Sequence, residues 1–288
     1  MSNKQLSGVG LGLRREMLDE LLPDIPSSVD FWEVAPENWI PLGGKYQKNL
    51  NQFTSACNFV SHGLSLSIGS PDPLDVNFIK SVKAFLDRHQ ILYYSEHLSY
   101  CSGQGHLYDL MPIPFTEEAV KHVVERVKQV QDIIERPLLL ENVSYYAAPG
   151  QEMTEQEFTL SVLKESGCLM LLDVNNIYVN SINHGYDAEA FLAAMPTGKI
   201  VYGHIAGHYD EADDLKIDTH GADVIEPVWT LLKKAYEIHG VFPTLLERDF
   251  NIPPISELLM EMEKIRTMQM RVQQQQQIST QQPKQFRA

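Results

Sequence analysis

CLMLLDVNNIYVN, residues 168–180, opens on five consecutive apolar residues and turns polar at Asp173. A run that is apolar at every position, rather than at alternate ones, is expected of a parallel strand covered on both faces. Seven more stretches begin in the same way: SGVGLGLR (7–14), DFWEVAPEN (30–38), NFVSHGLSLSIG (58–69), ILYYSEHLSY (91–100), PLLLENVSYY (137–146), KIVYGHIAGH (199–208) and PTLLERDF (243–250). Between them the apolar period becomes helical. Phe115, Ala119, Val120, Val123, Val127, Val130, Ile133 and Ile134 fall on one helical face, behind Thr116 as a cap and the acidic pair Glu117–Glu118. Thr154 and Glu157 read as a capping box, with Gly167 as the stop. Helical patterns also follow Asp75, Asp187, Asp223 and Ser256. Eight alternations in 288 residues predict a single-domain (β/α)8 TIM barrel, which needs roughly 250 residues; a doubly wound open sheet is the alternative. The barrel domain is expected over residues 1–265. Residues 266–288 read as a Gln-rich, mobile C-terminal tail, because the run Gln273–Gln277 cannot build a core, although the last helix has room to extend to Pro283.

Charge narrows the partners. Against 23 Lys and Arg stand 38 Asp and Glu, a formal net charge of −15. Gripping nucleic acid or an anionic membrane surface requires positive surplus, so neither is expected. No apolar stretch reaches the ~20 residues of a membrane span, and the first residues lack a signal-peptide core. Cys57, Cys101 and Cys168 are odd in number and share no metal-binding spacing, which fits reduced thiols in a cytoplasmic protein.

The informative feature is positional. Glu33, His62, His97, Glu141, Asp173, His204 and Glu247 all fall toward the C-terminal ends of predicted strands. In a barrel those ends meet at one face, where active sites are built. Asp218 and His220, in the loop after the seventh strand, are placed to join from above. A lone strand-end histidine is ordinarily a hydrogen-bonded core residue. Repetition on strand after strand points instead to metal, because burying so many charged groups unpaired is costly. Imidazoles and carboxylates without thiolates suit two or three borderline divalent ions in an open site. Glu141 has two oxygens with which to bridge two of them. His89, His122 and His239 fall on predicted outer helices and are expected at the surface. His106 and His184 fall in loops at the active face, within reach of a substrate.

With these residues assembled, the chain resembles a known family. EVAPENW (33–39), SHGLSLSIG (61–69), SEHLSY (95–100), LLLENVS (138–144), LLDVNNIYVNSINHGYD (171–187), HIAGHYD (204–210), DTHGADVIEPVWTLL (218–232) and LLERDFNIP (245–253) are similar, in order, to the multinuclear non-haem iron-dependent oxidative enzymes, which include the oxidase of methanobactin biosynthesis. The match spans roughly residues 5–262. The resemblance implies two or three irons (Fe2+/Fe3+). One would be held by His62, His97 and Glu141, and a second by Asp173, His204 and Glu247 sharing Glu141. A third, more weakly held, would take Asp218, His220 and the amide of Asn175. His208, Glu96, Asp249 and Asn176 would orient ligands or shuttle protons beside the substrate. The implied reaction is a four-electron oxidation by O2 of a cysteine in a ribosomally made precursor peptide, delivered by a leader-binding partner protein. A zinc- or manganese-dependent sugar isomerase or hydrolase, on a barrel like those of xylose isomerase and the apurinic endonucleases, is the competing reading. A catalytically silent barrel is a third, disfavoured because each predicted position carries a competent ligand.

Overall fold

The computed structural model describes residues 6–103 and 105–281, apart from the side chains of His106, Tyr108 and residues 279–281. Strands are β1 (Val9–Gly12), β2 (Phe31–Val34), β3 (Phe59–His62), β4 (Tyr94–His97), β5 (Tyr100–Ser102), β6 (His106–Met111), β7 (Leu138–Glu141), β8 (Leu169–Asp173), β9 (Ile200–Ile205), β10 (Tyr209–Ala212), β11 (Leu215–Ile217) and β12 (Thr244–Leu246). Helices are α1 (Leu18–Leu21), α2 (Gly44–Ala56), α3 (Val76–His89), α4 (Glu117–Ile134), α5 (Glu155–Ser166), α6 (Val174–His184), α7 (Ala188–Ala194), α8 (Glu226–His239) and α9 (Ile255–Gln281). Eight parallel strands close in the order β1-β12-β9-β8-β7-β4-β3-β2. Closure is direct: Gly10 pairs with Leu245 on one side and Phe31 on the other. This is the (β/α)8 barrel expected, with each of the eight predicted runs supplying one wall strand.

Two cores divide the apolar residues. Phe31, Val60, Leu139, Leu171, Tyr202 and Leu245 pack inside the barrel, and a larger cluster fills the layer between strands and helices. A parallel strand buried on both faces needs both, which is why its run is apolar at successive positions. Local signals hold where the hydrogen bonds are short-range. Thr154 and Glu157 form the reciprocal capping box, Thr116 accepts from the Ala119 amide, and Gly167 ends α5 in the left-handed region at φ 75°. Asp75 and Asp187 cap α3 and α7.

Three features differ from the sequence reading. The run 168–180 is strand only to Asp173, because the Asp173 side chain accepts from the Asn176 amide and starts α6 at once. Antiparallel hairpins β5–β6 and β10–β11, beyond β4 and β9, were not anticipated. The chain past residue 265 continues as helix to Gln281 rather than leaving the fold as a tail. Its stripe Leu258, Met262, Ile265, Gln269 and Val272 is buried throughout. Gln269 disguises that stripe. Its amide donates to the Gly8 and Phe242 carbonyls below β1 and β12, at 3.3 and 3.1 Å, so a polar residue serves a core position. Residues 282–288 of the predicted tail lie outside the described residues. Among the described residues, no helix is long and apolar enough to cross a membrane.

Candidate metal centre

Alternation along each strand builds the site. On a wall strand, residues two apart face the same side. Phe31, Val60, Leu139, Leu171, Tyr202 and Leu245 form the inner apolar plug. Two residues further on, toward the C-terminal mouth, stand Glu33, His62, Glu141, Asp173, His204 and Glu247. Strand register brings them to one level, since His97 is the pairing partner of Glu141, and Asp173 of His204. Each wall strand except β1 thus carries a ligand-type residue at its mouth end.

Among the described residues, three groups of potential ligand atoms result, each within the reach of one ion: His62, His97 and Glu141; then Glu141, Asp173, His204 and Glu247; then His220, Glu247 and Asp249. Glu141 belongs to the first two and Glu247 to the last two. Glu141 Oε2 lies 3.2 and 3.3 Å from His62 Nε2 and His97 Nε2, while its Oε1 is 3.5 Å from His204 Nδ1. His204 Nδ1 is also 2.9 Å from Glu247 Oε2. That Glu247 oxygen is 3.2 Å from His220 Nδ1.

The buried charges perturb one another strongly. Burial alone would keep His62 neutral, but the Glu141 and Glu33 carboxylates outweigh it and raise His62 to about 9. His97 goes the other way, down to about 4, through burial and the neighbouring His62 charge. Burial and the Glu141 charge push the Asp173 carboxyl well up. Glu141 itself sits low, because His62 and the other imidazoles overcome its burial. A crowd of groups that cannot all be charged or all neutral is relieved by a cation.

Orphaned atoms give the same answer. His97 Nδ1 and Asp173 Oδ2 are buried without a hydrogen bond, while Glu141 Oε2, His204 Nδ1, His220 Nε2 and Glu247 Oε2 meet only one another and the neighbouring charged groups, without a well-formed hydrogen bond. Each such atom costs about 1–3 kcal/mol unless something takes its lone pair. The three cysteines are unpaired and none belongs to these groups, leaving a nitrogen–oxygen donor set suited to borderline divalent metals. The residues fit the ions expected of them.

A profile of the RiPP precursor modification enzymes MbnB/TglH/ChrH matches residues 8–270. The chain belongs to this family. As a member of the MbnB/TglH/ChrH family it is an enzyme of the kind that modifies ribosomally made peptide precursors. It is 68% identical over 257 residues to a UPF0276 protein of Shewanella sediminis, covering 89% of this chain and 92% of that one. A UPF0276 protein of Pseudomonas aeruginosa is 52% identical over 271 residues, covering 94% and 95%. Among solved structures, L-ribulose 3-epimerase superposes with a TM-score of 0.64 at 13% identity, covering 96% of this chain and all (100%) of that one. The IOLI protein with a bound zinc atom gives 0.60 at 13%, covering 92% and 98%. At such identity these two likenesses establish the barrel alone.

The remaining expected residues of this family member fall in different places. Asn175, at the start of α6, bridges rather than stands free, with Oδ1 2.8 Å from His208 Nδ1 and Nδ2 donating to Asp218 Oδ1 at 3.0 Å. Asp218 pairs with His220 at 2.6 Å, so Asn175, Asp218 and His220 do meet. His220 is held at φ 48°, in the left-handed region that few non-glycine residues enter but that histidine enters more readily than most. His208 is buried, with Nε2 making no hydrogen bond and burial lowering its pKa. Asp249 reaches His220 Nδ1 at 3.3 Å and is ion-paired with Arg14 at the end of β1. Asn176 is buried, its amide nitrogen donating to the Asn142 carbonyl at 3.1 Å.

Glu96 is not brought to the centre. Adjacent to His97, it faces the other side of β4 with Tyr94, accepting from the Tyr94 hydroxyl and from the Leu66 amide. Burial and the Glu37 charge raise it to about 8. His89 is not at the surface, being buried against Phe85 and bonded to Thr54 Oγ1 at 3.0 Å. His122 and His239 are half-buried and bonded to the carbonyls of Ser70 and Leu192. His184 ends α6 stacked on Tyr145 at 3.9 Å, bracing the loop after β7, and the His106 side chain lies outside the described residues. Sequence reasoning passed over Ser95, Tyr202 and Arg14. Ser95 and Tyr202 each stand two residues before a ligand histidine, which is the signal that marks them as facing the barrel interior.

Proposed function

We propose that this enzyme is a multinuclear iron-dependent oxidase that uses O2 to modify a cysteine of a ribosomally made precursor peptide presented by a leader-binding partner protein. The observation that carries this reading is the sharing of Glu141 and Glu247 among three adjacent ligand groups at the mouth of the barrel of a precursor-modifying family. Two or three irons, held by His62, His97 and Glu141, by Glu141, Asp173, His204 and Glu247, and around His220 with Asp218, Asp249 and Asn175, would supply a seat for the substrate thiolate and a relay that passes the four electrons lost by the cysteine to O2, reducing it to water. The chain's own groups have simpler tasks. Glu141 and Glu247, each shared by two neighbouring groups, would each help to hold two ions. His208, whose Nδ1 is held by Asn175, offers a neutral Nε2 to accept a substrate proton. Asp249, tethered by Arg14, keeps His220 turned inward. The three unpaired thiols support a cytoplasmic setting.

The test is metal analysis and a Mössbauer spectrum of protein prepared without oxygen. Iron at two or three equivalents is expected, and His97→Ala and Asp173→Ala should each lower it. Zinc or manganese alone, with no uptake of iron, would favour the isomerase or hydrolase reading. Full iron content in both variants would break the ligand assignment.

A further inference from the structure

Beneath the ligand ring, an unbroken line of buried hydrogen bonds crosses the barrel from β3 to β9. His62 Nδ1 lies 2.8 Å from Ser95 Oγ, and Ser95 Oγ lies 2.9 Å from the Tyr202 hydroxyl. That hydroxyl donates to Glu33 Oε2 at 2.7 Å, and the same Glu33 oxygen is 3.1 Å from His204 Nε2. All five residues are buried, none more than 5% exposed. Water therefore cannot reverse any link.

We propose that Glu33 sets the direction of this whole line and so fixes which ring nitrogen of both His62 and His204 faces the metal ions. A carboxylate only accepts, so the Tyr202 hydroxyl and His204 Nε2–H both donate to it. Tyr202 has then used its single hydrogen, and its oxygen accepts from Ser95. The Ser61 carbonyl, 3.3 Å from Ser95 Oγ, is the longer and weaker acceptor, so it is the Tyr202 oxygen at 2.9 Å that keeps the Ser95 hydrogen off the nearby His62 Nδ1. His62 is left to donate from Nδ1. The consequence is asymmetric: His62 presents Nε2 and His204 presents Nδ1, and both of these atoms face Glu141. Ser95, Tyr202 and Glu33 are thus positioning residues that couple two metal positions without touching metal. Such supporting hydrogen bonds are typically worth about 10–100-fold in metal affinity.

The inference rests on the metal reading of the mouth, and its experiment separates the two. With zinc as the probe, ring 15N spectra should show His62 protonated at Nδ1 and bound through Nε2, with His204 the reverse. Tyr202→Phe, which removes a hydroxyl that touches neither imidazole, should weaken zinc binding at least 10-fold while leaving the far-UV spectrum unchanged. Combined with Ser95→Ala, which cuts the same line, the two losses should be less than additive. The opposite ring-nitrogen pattern, additive losses, or a Tyr202→Phe affinity within twofold of wild type would overturn it. If wild-type protein takes up no zinc, the metal reading fails instead, and the metal-free spectrum at pH 10 then decides: a hydrogen on His62 Nδ1 supports the line, and one on Nε2 overturns it.

Discussion

Glu155 provides the sharpest quantitative prediction, because its effect on stability has a sign and a window. It sits at the start of α5, buried, with Oε1 3.2 Å from the Asn180 amide nitrogen. Asn180 in turn holds the Val143 carbonyl and the Tyr145 amide at 2.9 and 3.1 Å, so this carboxyl backs the loop that follows Glu141. Burial raises Glu155 from 4.5 to about 7, against the hydrogen bonds from Asn180 and Tyr145. A raised acid binds its proton more tightly folded than unfolded. Its contribution is therefore fully present below pH 4.5 and falls as pH rises toward the folded value of about 7. The gap between 4.5 and about 7, at 1.36 kcal/mol per unit, amounts to about 3 kcal/mol lost by pH 8. Against a total of roughly 5–15 kcal/mol that is a large fraction. Glu155→Gln keeps the shape and removes the ionisation. Urea unfolding of both proteins from pH 4 to pH 8 should give a stability difference near zero at the acid end, growing to about 3 kcal/mol in favour of the variant. Taking the difference cancels every other titrating group that the substitution leaves alone. A flat difference across that range would refute the reasoning.

Other outcomes follow from packing. A Cβ on Gly207 would overlap the Ala222 and Asp223 carbonyls, so Gly207→Ala should displace the loop bearing Asp218 and His220 and lower metal stoichiometry, at a stability cost of about 1–3 kcal/mol; unchanged metal content counts against it. Arg126, buried, donates to the carbonyls of Ile68, Asp72 and Ser67, and Arg126→Met should cost about 3 kcal/mol or more in chemical denaturation while speeding amide exchange over 63–72. Gln269→Leu should leave the Gly8 and Phe242 carbonyls without this donor and lower stability by about 1–3 kcal/mol, whereas a stabilised variant would show that the helix merely covers the barrel floor.

Much of this protein was legible because strand physics is local. Unbroken apolar runs identify strands buried on two faces, and Thr154–Glu157 starts a helix through contacts three residues apart. The ligand-type residues could be picked out at strand ends for the same reason, and two-residue alternation separates His97 from Glu96 once the register is fixed. The helical stripe past residue 265 was hidden because its next member is Gln269, whose burial depends on carbonyls 261 and 27 residues away.

The sequence by itself determined the acidic balance, which is composition alone, and the eight-fold strand–helix repeat and the set of imidazoles and carboxylates at one mouth, which depend on spacing along a single strand or helix. Only the tertiary structure decided that Glu247 is shared with the group around His220 and Asp249, that Glu96 turns away from the ligand ring, and that Glu33 reaches His204 from 171 positions earlier. Those facts depend on barrel closure and on the register between strands far apart in the chain. Closure joins residues whose partners no local pattern encodes, and burial then forces every hydrogen between them to point one way.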